Sequence, residues 1–186
     1  MDEWVDIVDE FGKLTGQVCL KSEAHKQGYW HPCVNIWLYH RKGEVLIQKR
    51  VADKDTFPNL WDVSVAGHIG AGEIPIEAAQ RELSEELGVE IPIEKLKEIG
   101  SYLSDHSHPN GVIDREFHYV YVAELMVPID TLDLQTEEVA DIKMVAANVL
   151  TNFWSNKESN QEYVPYTTAY CEMVFQAIQN QIKSLQ

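Results

Sequence analysis

Cysteine is scarce. The 186 residues hold three, Cys19, Cys33 and Cys171, an odd number set far apart. That spacing excludes a disulfide framework and a Cys-x-x-Cys metal knuckle, so the three are expected as buried, inert thiols. Positive charge is scarce too: 15 Lys and Arg stand against 30 Asp and Glu, a net charge of −15. A surface of that sign repels nucleic-acid polymers and anionic membranes. Small phosphorylated ligands stay open, through divalent cations or a local basic pocket. No apolar run approaches the ~20 residues that span a bilayer. The opening stretch Met1–Gly12 is acidic and lacks the basic flank and apolar block of a signal peptide, so a cytoplasmic chain is expected. No repeat or low-complexity tract is present.

What remains is a chain with 45% hydrophobic residues, ample for a packed core, and long enough for one domain over 1–186. Residues 1–24 read as a hairpin, with "WVDIV" and "QVCLK" flanking a turn at Gly12 and Gly16. "CVNIWLYH" (33–40) and "EVLIQKR" (44–50) form a second hairpin across "RKG". "VADKDTFPNLW" (51–61) is a polar loop, and "DVSVAGHIG" (62–70) is short and β-like. Over 75–87 the period changes. Ile76, Ala79, Leu83 and Leu87 make one apolar helical stripe, with Pro75 at its first turn and Gly88 just past its last. "EIGSYLS" and "REFHYVYVAEL" read as strands around a polar loop at 105–114, "EVADIKMV" as another strand, and "AANVLTNFW" as a short helix. The tail carries Tyr170, Met173, Val174, Ala177, Ile178 and Ile182 at helical spacing. Many strands with one internal and one terminal helix predict an α+β fold, a mixed sheet in an α/β/α sandwich.

The 75–87 helix carries "RELSEEL". At 3.6 residues per turn, Glu82, Glu85 and Glu86 share an arc of about 100°. Like charges at i,i+4 cost an isolated helix roughly 0.2–0.5 kcal/mol per pair, and near a C-terminus the helix dipole disfavours them further. Either this is a solvated face, or a cation neutralises it. Oxygen-only ligands point to Mg²⁺ or Mn²⁺ rather than zinc. Arg81, four residues before Glu85, can orient a carboxylate through two parallel hydrogen bonds. Glycines at 67, 70 and 72 let the backbone approach the helix.

The full stretch runs Gly67, five residues, Glu73, seven residues, Arg81-Glu82-Leu83, one residue, Glu85-Glu86, one residue, Gly88-Val89. It resembles the Nudix box at every position the box specifies. The resemblance implies a metal-dependent hydrolase that splits a diphosphate bond in a nucleoside diphosphate or a nucleoside-diphosphate-linked small molecule. It implies Glu82, Glu85 and Glu86 as metal carboxylates and Gly67 as a backbone-carbonyl ligand. Arg81 becomes the orienting arginine and Glu73 the brace of the loop–helix turn. The general base is left between Glu85 and Glu138, the latter in a loop before a strand where the family often supplies a glutamate; for Glu138 a solvated loop acid is the alternative. The expected core is 31–165, with 1–30 an N-terminal extension and 166–186 a C-terminal helix.

A narrower resemblance covers residues 3–185. "AHKQGYWHPCVNIWLY", "VLIQKRVADKD" and "FPNLWDVSVAGHIGAGE" are similar to the branch that includes isopentenyl-diphosphate isomerase and its hydrolase-like relatives. That likeness implies a second metal site from His25, His31, His68, Asp114 and Glu116. The isomerases use a catalytic cysteine in the strand before that third histidine. Here Ser64, Val65 and Ala66 occupy the strand, and a serine hydroxyl is a far poorer acid or nucleophile than a thiol. Hydrolysis is therefore expected over isomerisation, and the complete box disfavours a non-catalytic diphosphate-binding module. Lys49, Arg50 and Lys54 are candidates to meet phosphate. Trp30, Trp37, Trp61, Phe57 and Tyr102 are candidates to stack a base, although aromatics at strand spacing also build cores. Monomer and homodimer both stay open.

Overall fold

The computed structural model describes residues 2–148 and 161–184. Most of the short helix expected over 146–154 lies outside them. The central strand β3 (His31–His40) is buried at nine of its ten positions, because both sheet faces are covered. Its side chains sort by parity. Val34, Ile36 and Leu38 pack on one face with Ala78, Ala79, Leu83 and Leu87 of helix α2 (Pro75–Leu87). Trp37 and Tyr39 pack on the other with Tyr170, Val174 and Ile178 of helix α3 (Thr168–Ser184). Each fully buried leucine or isoleucine in those layers contributes roughly 1.5–3 kcal/mol. The result is the expected α/β/α sandwich.

Among the described residues seven strands form the sheet. Strand β4 (Glu44–Arg50) lies antiparallel to β3, and β5 (Trp61–Asp62) extends that edge. β6 (Val65–His68) takes over as partner of the first half of β3. β8 (Ile113–Glu124) runs parallel to β3, and β7 (Lys97–Ser107) antiparallel to β8. β9 (Val139–Ala146) pairs with β4. The parallel pair sets His31 beside Glu116 and Cys33 beside His118, while the antiparallel pair sets Cys33 beside His68.

Three local expectations are corrected. The polar loop expected at 105–114 is strand except for a tight turn at 108–112. Asp105 opposes Arg115, and His106 opposes Asp114. The Arg115 Nε–Asp105 Oδ1 hydrogen bond of 3.2 Å helps hold these polar rungs. In the N-terminal hairpin, β1 (Trp4–Val8) pairs with a β2 (Leu14–Leu20) that starts three residues early. Asp9 Oδ1 accepts from the backbone N–H groups of Phe11 and Lys13 at 2.9 Å each, tightening the turn to 9–13. Third, Lys21–Gln27 is a helix, α1, closed by Gly28 in the left-handed region at φ 66. Two turns are too short to show a period, and its buried residues are Ala24 and His25.

The hairpin grips the loop that precedes α2. Val5 bridges Gly70, Ala71 N–H donates to Trp4 O at 2.8 Å, and Gly72 N–H to Asp6 Oδ2 at 2.7 Å. Among the described residues no helix is long and apolar enough to cross a membrane.

Candidate functional site

A cleft of about 380 Å³ opens where α2, the 51–61 loop and the ends of β3, β6 and β8 meet. Glu82, Glu85 and Glu86 all line it. α2 presents them together because its apolar stripe is pinned to the sheet, leaving one flank toward the cleft. Glu82 and Glu86 are buried, and Glu85 lies at the solvent edge. Burial raises the Glu82 carboxyl to about 6 against the pull of Arg81, and raises Glu86 to about 8, with the Glu82 charge adding to it. Glu86 Oε2 accepts one hydrogen bond, from Gln48 Nε2 at 3.0 Å. Two buried acids pushed toward protonation are what a cation would relieve.

Arg81 organises this flank. Its Nε and Nη2 bond Glu73 Oε1 and Oε2 at 3.0 and 2.9 Å, Nη1 bonds Glu82 Oε1 at 2.7 Å and Glu85 Oε2 at 3.0 Å, and Nη2 also bonds His68 O at 2.9 Å. Glu73 in turn accepts from Gly70 N–H at 2.9 Å. One guanidinium thus ties the turn, β6 and two carboxylates together. Glycine at 67 leaves room for the Glu82 carboxylate: a Cβ there would lie 2.0 Å from Glu82 Cδ, and Glu82 would have to shift. Gly88 ends the helix in the left-handed region, where an added Cβ would meet Asp133 Cβ at 2.8 Å.

Across the cleft, Lys54 forms an ion pair with Glu138, joining the 51–61 loop to the approach to β9. Arg50 also lines the cleft, but its three nitrogens are engaged. Nη1 bonds Asp62 Oδ2 at 3.0 Å, while Nε and Nη2 bond Thr56 O and Oγ1 at 3.1 and 3.2 Å. Of the aromatics expected to stack a base, Phe57 lines the cleft. Trp37 and Tyr102 pack in the core beneath α3, Trp61 lies under Lys143 Nζ at 3.7 Å, and Trp30 and Lys49 are outside the lining.

Beside the box helix, the five residues of the expected second site come together. One ligand atom each from His25, His31, His68 and Glu116 fall within 4.8 Å of one another. Asp114 Oδ1 stands 3.8 Å from His25 Nε2, and Glu116 Oε1 is 3.2 Å from His68 Nε2 and 3.8 Å from His31 Nε2. The Nε2 atoms of all three histidines are buried with no hydrogen-bond partner. His31 Nδ1 faces Tyr29 O at 3.0 Å, so that nitrogen carries the proton and Nε2 keeps its lone pair. Burial lowers His25 and His68 to about 4, each against the pull of Glu116, so both rings are neutral near pH 7. Three buried imidazoles converging on one carboxylate suit a transition-metal ion.

The NUDIX domain family matches residues 29–167. The chain belongs to the Nudix family. An uncharacterized Nudix hydrolase of Clostridium acetobutylicum is 39% identical over 159 residues, 84% of this chain and 76% of that protein. Nudix hydrolase 3 of Arabidopsis thaliana is 36% identical over 169 residues, 89% of this chain; the chain spans 22% of that longer protein. An isopentenyl-diphosphate Delta-isomerase of Photorhabdus laumondii is 35% identical over 146 residues, 78% of each. These place this Nudix protein in the isomerase-like branch. A crystal structure from Deinococcus radiodurans superposes with a TM-score of 0.62 at 26% identity, covering 81% of this chain and 87% of that one.

Within the Nudix fold, the strand expected to lack a catalytic thiol does lack one. Ser64 is a structural hydroxyl, donating to Leu46 O at 2.6 Å and accepting from Leu38 N–H at 2.8 Å. Ala66 lines the cleft in its place. Several lining residues had drawn no functional reading: Asn35, Asp62, His106, His118 and Tyr166. Cys33 is buried as expected, yet its thiol reaches Glu116 Oε1 at 3.2 Å in this cleft. Period-two spacing, His31 with Cys33 and Glu116 with His118, was the available signal.

Proposed function

We propose that this Nudix domain hydrolyses the diphosphate bond of a nucleoside diphosphate or a nucleoside-diphosphate-linked small molecule, using Mg²⁺ or Mn²⁺. Supporting it above all is the pair Glu82 and Glu86, buried on one helix flank with raised carboxyl groups, facing a cleft they share with Glu85 and Gly67. In this reading those three carboxylates and the Gly67 carbonyl hold the ion. An ion bound there would supply positive charge against the diphosphate oxygens and would lower the pKa of a coordinated water. Arg81 fixes the rotamers of Glu82 and Glu85, and Glu73 fixes Arg81. Glu85, at the open edge, accepts the water's proton at its carboxylate. Glu138 is the other candidate, and for it the Lys54 pair must open first. Lys54 then turns to a phosphate oxygen, while Arg50 holds the loop that carries Lys54. His25, His31, His68, Asp114 and Glu116 would hold a second, transition-metal ion. The enzyme acts in the cytoplasm as one domain, with 1–30 bracing the box turn, 31–165 forming the core and 166–186 covering the sheet.

The test is release of phosphorylated product from a panel of diphosphate compounds with Mg²⁺ and with Mn²⁺. At least one compound should be cleaved, and Glu85→Gln should lose most turnover while staying folded. Unchanged turnover in that variant would overturn the assignment.

A second reading, isomerisation of an isopentenyl-type diphosphate, is favoured by the assembled imidazole centre and disfavoured by the missing β6 thiol. Product analysis after incubation with isopentenyl diphosphate separates the two.

A further inference from the structure

Register places four side chains in one row across the sheet: Tyr102 of β7, His118 of β8, Cys33 of β3 and His68 of β6. The next row holds Ser104, Glu116 and His31. Glu116 therefore meets donors on both of its oxygens. Oε1 is 3.2 Å from His68 Nε2, and Oε2 is 3.1 Å from His118 Nε2. Cys33 Sγ, set between His68 and His118, lies 3.2 Å from Oε1.

We propose that Cys33, His118 and Glu116 form a second cation position beside the imidazole centre, taking a thiophilic divalent ion of the zinc type, with Glu116 bridging the two. One ligand atom from each of these three residues lies within 4.8 Å of the others, a set that shares only Glu116 with the one that contains His25. Thiolate, imidazole and carboxylate together select zinc or cobalt rather than magnesium. Three protein ligands leave one tetrahedral position free, and all three residues line the cleft, so that position opens toward substrate or water. His118 is 5% exposed, and its Nδ1 has no partner. The Tyr102 ring stacks on it at 5.8 Å and limits its orientation. Without a cation the thiol donates its proton to Glu116. On binding, the metal–sulfur bond replaces the S–H bond and the proton leaves to solvent.

This position builds on the imidazole centre proposed above, and the experiment keeps the two apart. Full-length, metal-stripped protein is titrated with Co²⁺ alone and followed by absorbance. A thiolate-to-cobalt band in the near ultraviolet is expected in the wild type. It should persist in Cys19→Ser and Cys171→Ser and vanish in Cys33→Ser. His118→Gln should weaken the uptake that produces it. Visible cobalt bands that depend on His31 and His68, with no near-ultraviolet band, overturn the Cys33 position and leave the imidazole centre standing. No cobalt absorption at all overturns both. A wild-type spectrum without the near-ultraviolet band overturns the position whatever the variants do, and when the band is present Cys19→Ser and Cys171→Ser, at residues outside the cleft, decide whether it belongs to Cys33 even if Cys33→Ser fails to fold.

Discussion

Arg81 holds Glu73 with one edge of its guanidinium, Nε to Oε1 at 3.0 Å and Nη2 to Oε2 at 2.9 Å. Glu73 lies in the turn and Arg81 two helical turns further on. The pair therefore sets where α2 begins relative to β6, and through Nη1 it sets two of the three acids as well. Lysine has one nitrogen where arginine has three, and cannot copy the fork. Arg81→Lys should cost about 1.5–3 kcal/mol of stability, the range for hydrogen bonds to charged groups, read by denaturant melts in chelator. It should also raise the Mg²⁺ concentration needed for activity. A melt identical to wild type would show the network contributes nothing.

Glu85 and Glu138 divide the question of the base. Glu85→Gln should lower kcat by roughly 10²–10⁴-fold, the usual contribution of general-base catalysis. Glu138→Gln, which leaves Lys54 unpaired, should change KM more than kcat. The opposite split assigns the base to Glu138.

Without metal, the buried acids make stability depend on pH. Glu82 rises from 4.5 to about 6, Glu86 from 4.5 to about 8 and Asp114 from 3.8 to about 8, all through burial first. The folded state then keeps protons that the unfolded chain has released, so stability falls as pH climbs through those intervals. His25 and His68, lowered by burial from 6.5 to about 4, act the other way, but only below their unfolded value. In chelator, Tm should therefore fall between about pH 6.5 and 8, where the acids act alone. Saturating Mg²⁺ favours the ionised carboxylates and should reduce that fall. A Tm in chelator that rises over this interval contradicts the burial of Glu86.

Gly67→Ala places a methyl group against the Glu82 carboxylate, 2.0 Å from Cδ before any shift. Something must move, and the flexible partner is Glu82. Metal-dependent activity should drop far more than Tm. Equal Mg²⁺ activation in the variant would show that Glu82 does not need its present place.

For the imidazole centre, His31→Ala should remove one equivalent of bound transition metal by elemental analysis, while a Mg²⁺ titration at the box acids is unchanged. Loss of both would mean the sites are one.

Much of this was legible in the residues themselves. The spacing from Gly67 to Val89 fixes the box, and the stripe Ile76, Ala79, Leu83 and Leu87 fixes which flank of the helix is free. Those are local facts: a helix of 3.6-residue period turns sequence distance directly into direction. The flanks of the 105–114 segment are strand although they read as loop, because polar cross-strand rungs leave no apolar alternation. α1 leaves no signal in the residues because its two turns show no period.

Tertiary structure decided the rest. A strand's period of two says which side a residue takes, not which strand lies next to it. Only the order β6-β3-β8 puts Cys33 between His68 and His118 and brings Glu116 to the histidines of three other elements. Only packing shows that Arg50 is held by Asp62 and Thr56 while Lys54 reaches Glu138. The sequence determined which groups can bind metal; the folded sheet decided which of them meet, because side chains distant along the chain become neighbours only through strand pairing and shared burial.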